Sequence, residues 1–481
     1  MTNQFRNKAI SAFVWNAIDR FGNQGMSFII LLILARLVGP DDYGVLAIVM
    51  MFINIANVFV DCGLSNALMR KLDRTETDNS TVFYFNILVA LVIYLILFTL
   101  SHHISLYFDN LELESIIRYA SLIVIINSFG IIQQTNLSFK LLFKTQTKIS
   151  IISTLVSGSV GIVLAYYGYG TMALIHQQVL FALLRVLLLW ILIRWMPTAR
   201  FSFQSIKGLI GYSSWLLLSE IVSVLRLDIV YFVLGKGVAT GQIGYFSYAN
   251  KMSSFPASLI SSVYRKVAFP VFCQLQNSDK LSHYFRQATR CLNFIVVPIM
   301  LFLSAVSEPL INLLLDDKWS HTIPLLSILA ISLSFWPQIF NNISFLLVNG
   351  KSKIRFIVDS LMLLCLVISV LYLSKYGLKY VCYAMLALNI TSAVIYAYFT
   401  GVVSAYKFLT QLGDLLFIYI LSIVAKVIVG FTLPMYTSTP IVDLIISVII
   451  FFMVYISLYC LFKRSMIIDL ISSTKRLIRE A

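Results

Sequence analysis

Charge is scarce in this chain. Asp, Glu, Lys and Arg make up 12% of its 481 residues, while 59% are hydrophobic. That is roughly half the charged share of an ordinary soluble domain, about 25%, and leaves too little polar side chain to cover one. Pairing patterns are missing too. The six cysteines (Cys62, Cys273, Cys291, Cys365, Cys382, Cys460) form no C-x-x-C, so they read as small buried hydrophobes rather than a zinc or redox site. The five histidines form no H-E-x-x-H, and none lies at ligand spacing to a cysteine pair. No P-loop, G-x-S-x-G or G-x-G-x-x-G occurs, which excludes the usual ATPase, nucleophile elbow and dinucleotide fingerprint. The sequence therefore offers no metal ligands, no catalytic residues and no cofactor site.

What it has in quantity is apolar runs of about 18–25 residues, enough to cross a hydrocarbon core of roughly 30 Å as helices. Outer-membrane barrels are excluded, since their strands alternate over about ten residues. The pattern predicts an all-α polytopic membrane protein with about fourteen spans: 12–37, 43–61, 82–100, 116–139, 149–167, 172–194, 209–234, 243–263, 290–315, 322–348, 356–374, 379–403, 412–433 and 441–462. The ninth is interrupted by Pro298 and by Glu308-Pro309. The basic-then-apolar start runs on to Leu37, too long for a signal-peptide core and with no small-residue cleavage site, so it reads as a retained first helix.

Lys and Arg placement sets the expected orientation. With the N-terminus in the cytoplasm, 25 of the 36 basic residues fall in cytoplasmic segments and 5 (Arg118, Lys236, Lys318, Lys375, Lys379) in outer loops. Both termini are then cytoplasmic. The net charge of +15 faces anionic lipid, and no nucleic acid is needed to explain it. All loops are short, which leaves no room for a soluble catalytic domain.

The chain also repeats. A shift of 200 residues brings Trp15 onto Trp215, Arg36 onto Lys236 and Gly44 onto Gly244. A shift of 207 brings Leu106 and Asp109 onto Leu313 and Asp316, Lys144 and Lys148 onto Lys351 and Arg355, and Tyr169-Gly170 onto Tyr376-Gly377. The expected organisation is a six-helix half over 1–208, a parallel six-helix half over 209–405, and helices 13–14 with a basic tail over 406–481. Parallel halves around a central cavity are a transporter architecture, working by alternating access.

Few charges lie inside the spans, and each is costly there, roughly 2.5–3.5 kcal/mol on insertion scales. Arg226 and Lys251 both fall roughly 12 Å below the outer ends of consecutive helices, by the 1.5 Å rise per residue. Arg20 and Arg185 lie in the inner halves of their spans, and Lys426 lies in the thirteenth. Glu220 and Asp228 are eight residues apart and share a helix face, whereas Arg226 points about 200° away from Asp228. With Asp19, three acids face five cations. One reading is a water-filled cationic cavity that holds an anion, with arginine suited to a phosphate or diphosphate. Its candidate binding residues are Arg226, Lys251, Arg20 and Arg185, with Glu220 and Asp228 coupling or tuning. The other reading is interhelical ion pairs, such as Arg20 with Glu220. Arg36 and Asp61 sit at helix ends, where snorkelling explains them. Tyr231, Tyr245 and Tyr248 are candidates for stacking on sugar rings. The turns at GPDDYG (39–44) and GKGVATGQIG (235–244) read either as connectors or as hinges.

The stretches LARLVGPDDYGVLAIV (34–49), DCGLSNALMRK (61–71) and IGYFSYANKM (243–252) resemble the polysaccharide-transporter, Wzx-type flippases, in the superfamily that includes the MATE exporters and lipid II flippases. The similarity runs from about residue 5 to about residue 400. It implies export of oligosaccharides linked to undecaprenyl diphosphate across the bacterial inner membrane, for O-antigen, capsule or exopolysaccharide. It also implies coupling to H⁺ or Na⁺ rather than ATP, and polysaccharide polymerase machinery as a possible contact. The partners are then the lipid-linked glycan and membrane lipid. Two alternatives stay open: an ion-coupled drug antiporter, which calls for an acid-dominated cavity, and a membrane polymerase or ligase, which calls for a long outer loop with paired carboxylates.

Overall fold

The computed structural model describes residues 22–71, 73–140, 142–198, 200–275, 280–432 and 440–480. Every regular element among them is helical. In chain order they are α1 (Gly22–Leu37), α2 (Pro40–Asp61), α3 (Leu64–Arg70), α4 (Glu76–Tyr107), α5 (Glu112–Ala120), α6 (Leu122–Ser128), α7 (Ile131–Phe139), α8 (Phe143–Tyr166), α9 (Gly170–Ile193) and α10 (Phe203–Gly235). Then come α11 (Thr240–Gln274), α12 (Lys280–Ala305), α13 (Ser307–Leu314), α14 (Thr322–Leu333), α15 (Trp336–Val348), α16 (Ser352–Leu373), α17 (Leu378–Val403), α18 (Phe408–Thr432) and α19 (Pro440–Glu480). Among the described residues ten helical segments are long and apolar enough to cross a membrane, and eleven if one bent pair counts as a span. The remaining expected spans, 12–37, 209–234 and 243–263, coincide with α1, α10 and α11, the first of them described only from Gly22.

Local chemistry sets the helix ends. Pro40 opens α2, where its missing N–H costs nothing, and Asp42 accepts the Gly39 N–H at 3.2 Å. The helix ends where Cys62 and Gly63 turn left-handed (φ 48° and 69°), and Asp61 then caps α3 by accepting the Ser65 N–H at 3.2 Å. Thr75 and Asp78 form a capping box at α4: the Thr75 hydroxyl accepts the Asp78 N–H at 3.3 Å, and the Asp78 carboxylate accepts the Thr75 N–H at 2.9 Å.

Two expected spans are differently built. The fourth, 116–139, is a chain of three short helices, bent by 43° between Ser128 and Ile131. Gly130 lies at the bend, so close to α9 that an added Cβ would sit 3.0 Å from Val186. In the ninth, α12 continues past Pro298 and stops at Ala305, well before the expected end at 315. Pro309 instead occupies the first turn of the separate α13, where a missing N–H is tolerated.

The sequence repeat puts a boundary at 208, but the contacts divide the chain after Gly244. The reason is that α10 packs on α2, α3 and α4 and so belongs with the first unit. In the second unit, α12 and α18 pack with α19 around Val297, Leu301, Ile418, Phe451 and Tyr459.

Candidate functional site

In the first unit the α2–α10 packing brings Asp228 to Asn54, whose amide donates to the carboxylate at 3.0 Å. Asn54 is exposed and Asp228 half-buried. Asn54 is the first of three polar residues at i, i+3 and i+7 on one face of α2, with Asn57 and Asp61. Asn57 accepts from Asn127 of α6 at 3.2 Å. A polar stripe thus descends an otherwise apolar helix, with the acid of α10 at its upper end. Hydropathy hides Asn54 and Asn57, because two neutral amides hardly change the mean of an apolar run. The signal that finds them is their spacing.

The other candidates are distributed as follows. Arg226 is half-buried on α10, and Arg185 is half-buried on α9, both in the first unit. Lys251 is half-buried on α11 in the second unit. Arg20 and Asp19 lie outside the described residues. Glu220 lies within α10, but its side chain is outside those described. Lys426 donates to the Ser304 hydroxyl at 2.7 Å at the last turn of α12, where a cation complements the helix dipole, so its contact is structural. Tyr231 and Tyr248 are buried, the latter with its ring 4.6 Å from Trp319, so neither is open to a sugar. Tyr245 is half-buried against His321, 5.3 Å between centroids.

The two glycine turns are more than connectors: they touch. At Gly44 an added Cβ would overlap the Thr240 carbonyl, and at Gly244 it would overlap the Pro40 carbonyl. Gly44 and Gly244 are aligned by the 200-residue shift, and so are Pro40 and Thr240, so the contact is reciprocal. Backbone meets backbone there because neither glycine has a side chain. Adjacent carboxylates serve two different helix starts. A Cβ on Gly241 would come within 2.7 Å of Asp41 Oδ1, which places that carboxylate against the first turn of α11. Asp42 accepts the Thr171 hydroxyl at 2.5 Å in the first turn of α9. Both positions favour a negative charge. Beneath the seam, Phe52, Phe108, Phe232 and Tyr107 form an aromatic cluster, with Tyr107 stacked on Phe232 at 5.1 Å.

The second unit carries polar groups that sequence reasoning missed. Asn293 donates to Gln338 at 2.9 Å, Gln338 to Gln411 at 3.3 Å, and Gln411 to Thr400 at 3.1 Å. Thr400 bonds Asn342, which donates back to the Gln338 carbonyl at 2.7 Å. All five are buried and neutral. Nearby, Arg290 clamps Asp414 bidentately, 2.7 Å from Nε and 2.7 Å from Nη2.

Among the described residues, the bundle thus combines span-length apolar helices with half-buried Arg226, Arg185, Lys251 and Asp228. Its fold matches that of the lipid II flippase MurJ in an inward closed conformation, with a TM-score of 0.78 at 17% identity, covering 94% of this chain and 100% of that one. It also matches an inward-facing multidrug resistance MATE transporter of the MOP superfamily, with a TM-score of 0.59 at 15% identity over 79% of this chain and 96% of that one. Residues 33–324 match the family described as "Polysaccharide biosynthesis protein", and the chain belongs to it. Its relatives include the succinoglycan biosynthesis transport protein ExoT of Rhizobium meliloti, 26% identical over 69% of this chain and 68% of that protein. The teichuronic acid biosynthesis protein TuaB of Bacillus subtilis is 26% identical over 64% and 65%, and the lipopolysaccharide biosynthesis protein WzxC of Escherichia coli is 24% identical over 68% and 67%.

Proposed function

We propose that this protein is a flippase that moves oligosaccharides linked to undecaprenyl diphosphate across the bacterial inner membrane, with both termini in the cytoplasm. The observation that carries the reading is the pairing of family and fold: a polysaccharide biosynthesis family member folded like a lipid II flippase. The transported headgroup is an anion, and Arg226, Lys251, Arg185 and Arg20 are the proposed cations that hold its diphosphate, arginine by its planar fork. Asp228, held by one amide, is the proposed coupling group for H⁺ or Na⁺, with Glu220 tuning it. The reciprocal glycine seam is the contact that would part when the outer side opens. A polymerase is the natural recipient of the flipped lipid.

The test is the sidedness of the lipid-linked oligosaccharide in cells depleted of the protein. Accumulation on the cytoplasmic face with loss of surface polymer is expected. Export without polymerisation would overturn the reading in favour of an enzyme acting after flipping. Arg226→Ala and Lys251→Ala should each lower surface polymer by at least about tenfold, equal to roughly 1.4 kcal/mol of lost barrier lowering. Unchanged polymer in both would remove these residues from the site.

A further inference from the structure

The fourth expected span of each half is interrupted, and at matching places. The 207-residue shift puts Phe129-Gly130 opposite Trp336-Pro337, so glycine in one half stands where proline stands in the other. Both residue types disfavour a helix interior. In both halves the backbone tightens to i→i+3 bonding at the break. The Gly130 N–H donates to the Asn127 carbonyl at 2.9 Å, and the Phe335 N–H donates to the Ser332 carbonyl at 3.5 Å. Such a tightened turn inside a helix is a recurrent mark of a hinge.

The two breaks are held differently. In the second unit α14 and α15 together make one span, Thr322–Val348. Two other helices grip the break. Asn389 of α17 donates to the Ser332 hydroxyl at 2.9 Å and to its carbonyl at 3.3 Å. Tyr419 of α18 bonds the Ser334 hydroxyl at 2.5 Å and stacks on Phe335 at 4.7 Å. In the first unit α6 and α7 are bent by 43°. The missing Gly130 side chain lets the joint lie against α9, where an added Cβ would sit 3.0 Å from Val186 and 3.2 Å from Leu189. One turn on, the Trp190 indole donates to the Phe129 carbonyl at 3.0 Å. In the amide orientation that satisfies both of its polar atoms, Gln133 donates to the same carbonyl at 2.8 Å and accepts from the indole at 3.1 Å. Three groups thus close a ring around one carbonyl at the bend. A side chain that enters the backbone ladder is an established cause of a kink.

We propose that the Phe129-Gly130 joint is a hinge of the first unit, about which α7 turns relative to α6, and that Trp190 and Gln133 are its latch. Glycine can absorb the change in φ and ψ that a hinge requires, whereas Pro337 at the matching place has its φ fixed by the ring. The latch is made of neutral groups, so releasing it uncovers no charge within the membrane. It is also slight, one shared N–H and one amide, against two bonds from Asn389 and an aromatic stack in the second unit. The repeat therefore carries one joint that moves and one that is clamped. The inference does not depend on what the protein transports.

The test is backbone amide exchange, read by mass spectrometry on the purified full chain in detergent. Trp190→Phe keeps an aromatic ring and removes the N–H. Exchange in peptides spanning 126–136 should rise roughly tenfold, the scale of one well-placed hydrogen bond, with no change across 328–341. Asn389→Leu should leave 328–341 within about twofold of wild type, because Tyr419 still grips that break. If Trp190→Phe does not purify, Gln133→Leu removes the other latch group, and about a threefold rise is expected. The opposite change locks the joint. An added Cβ at Gly130 lies close enough to Val186 for a cysteine pair. Oxidation of Gly130→Cys/Val186→Cys should slow exchange at 126–136 below wild type, and reduction should restore it. Unchanged exchange at 126–136 in the latch variants would overturn the latch. An equal rise at 328–341 would overturn it too, by showing general loosening. A formed disulfide that leaves exchange at 126–136 unchanged would overturn the hinge, because the joint would not be opening against α9.

Discussion

The two units handle buried polarity in opposite ways. In the second, Asn293, Gln338, Gln411, Thr400 and Asn342 are neutral, at most 3% exposed, and bonded in a chain that closes on itself. In the first, Asp228 is ionisable and half-buried, and its partner among the described residues is one amide on an exposed asparagine. A neutral network bonded at all but one atom, the buried Asn293 Oδ1, fixes the helices that carry it. An acid with a single amide partner leaves acceptor positions for water, a cation or a proton. The glycine seam sharpens the contrast. Backbone contact at Gly44 and Gly244 is close, flanked by the Thr240 methyl group and the Asp41 carboxylate. The second unit is joined by a buried polar network, the first by a backbone contact and an accessible acid.

The largest expected effect is in the fixed unit. Asp414→Ala strips the carboxylate from Arg290 and Arg286, and breaking a buried pair costs about 3–5 kcal/mol. Thermal unfolding in detergent and the yield of monodisperse protein should both fall sharply. A melting temperature like that of wild type would show that the cluster is not structural. Next come the glycines. Gly244→Ala would push a Cβ into the Pro40 carbonyl and should destabilise by about 1–3 kcal/mol, whereas Gly413→Ala, at an exposed helical position with open space around it, should stabilise by about 0.5–1 kcal/mol. Opposite signs for one chemical change would confirm the seam, and two gains would refute it.

Much of the bundle is legible in the sequence because an apolar run of span length has few other uses. Helices α4 and α17 cover their expected spans, and α8, α9 and α16 cover theirs but for the last residue. What is not legible is how a run is broken. Nothing in the hydropathy of 116–139 shows the 43° bend at Phe129-Gly130, because the bend follows from how closely Gly130 meets α9. Pro298 looks like a breaker, yet α12 passes through it and stops at Ala305. The site was half visible. Asp228 stands out as a charge in an apolar run, but its partner Asn54 lies 174 residues away and carries no charge to draw attention. The pair Arg290–Asp414 was hidden because both fall near the ends of their expected spans, where charge is ordinary, although α12 in fact begins ten residues before Arg290. The glycine turns were visible as a repeat, but the meaning of the repeat, that its two copies touch, is a fact of packing.

Two smaller effects complete the comparison. Gln411→Ala removes the middle of the neutral network, and interhelical hydrogen bonds in membranes contribute only about 0.6 kcal/mol on average, at most about 1.7. A modest loss of thermal stability with normal polysaccharide export is therefore expected, and a loss of export at full stability would contradict the structural role.

Asp228→Asn should have the least effect on stability and a decisive one on transport. The substituted amide keeps an oxygen where the carboxylate oxygen was, so Asn54 can still donate to it, and the α2–α10 contact at 3.0 Å is retained. Removing an intramembrane charge that has one amide partner also relieves a desolvation cost of the sort that makes such charges rare. Melting temperature should therefore be equal to wild type or slightly higher. Transport should fall by at least about tenfold, roughly 1.4 kcal/mol in barrier, because an amide neither carries a proton nor holds a cation with a full charge. Paired measurements of unfolding and of surface polymer in the same strain separate the cases. If both are unchanged, Asp228 is only a hydrogen-bond acceptor between two helices, and the coupling group must be sought elsewhere. If stability falls together with export, the charge itself holds α2 to α10, and the first unit is then as firmly fixed as the second.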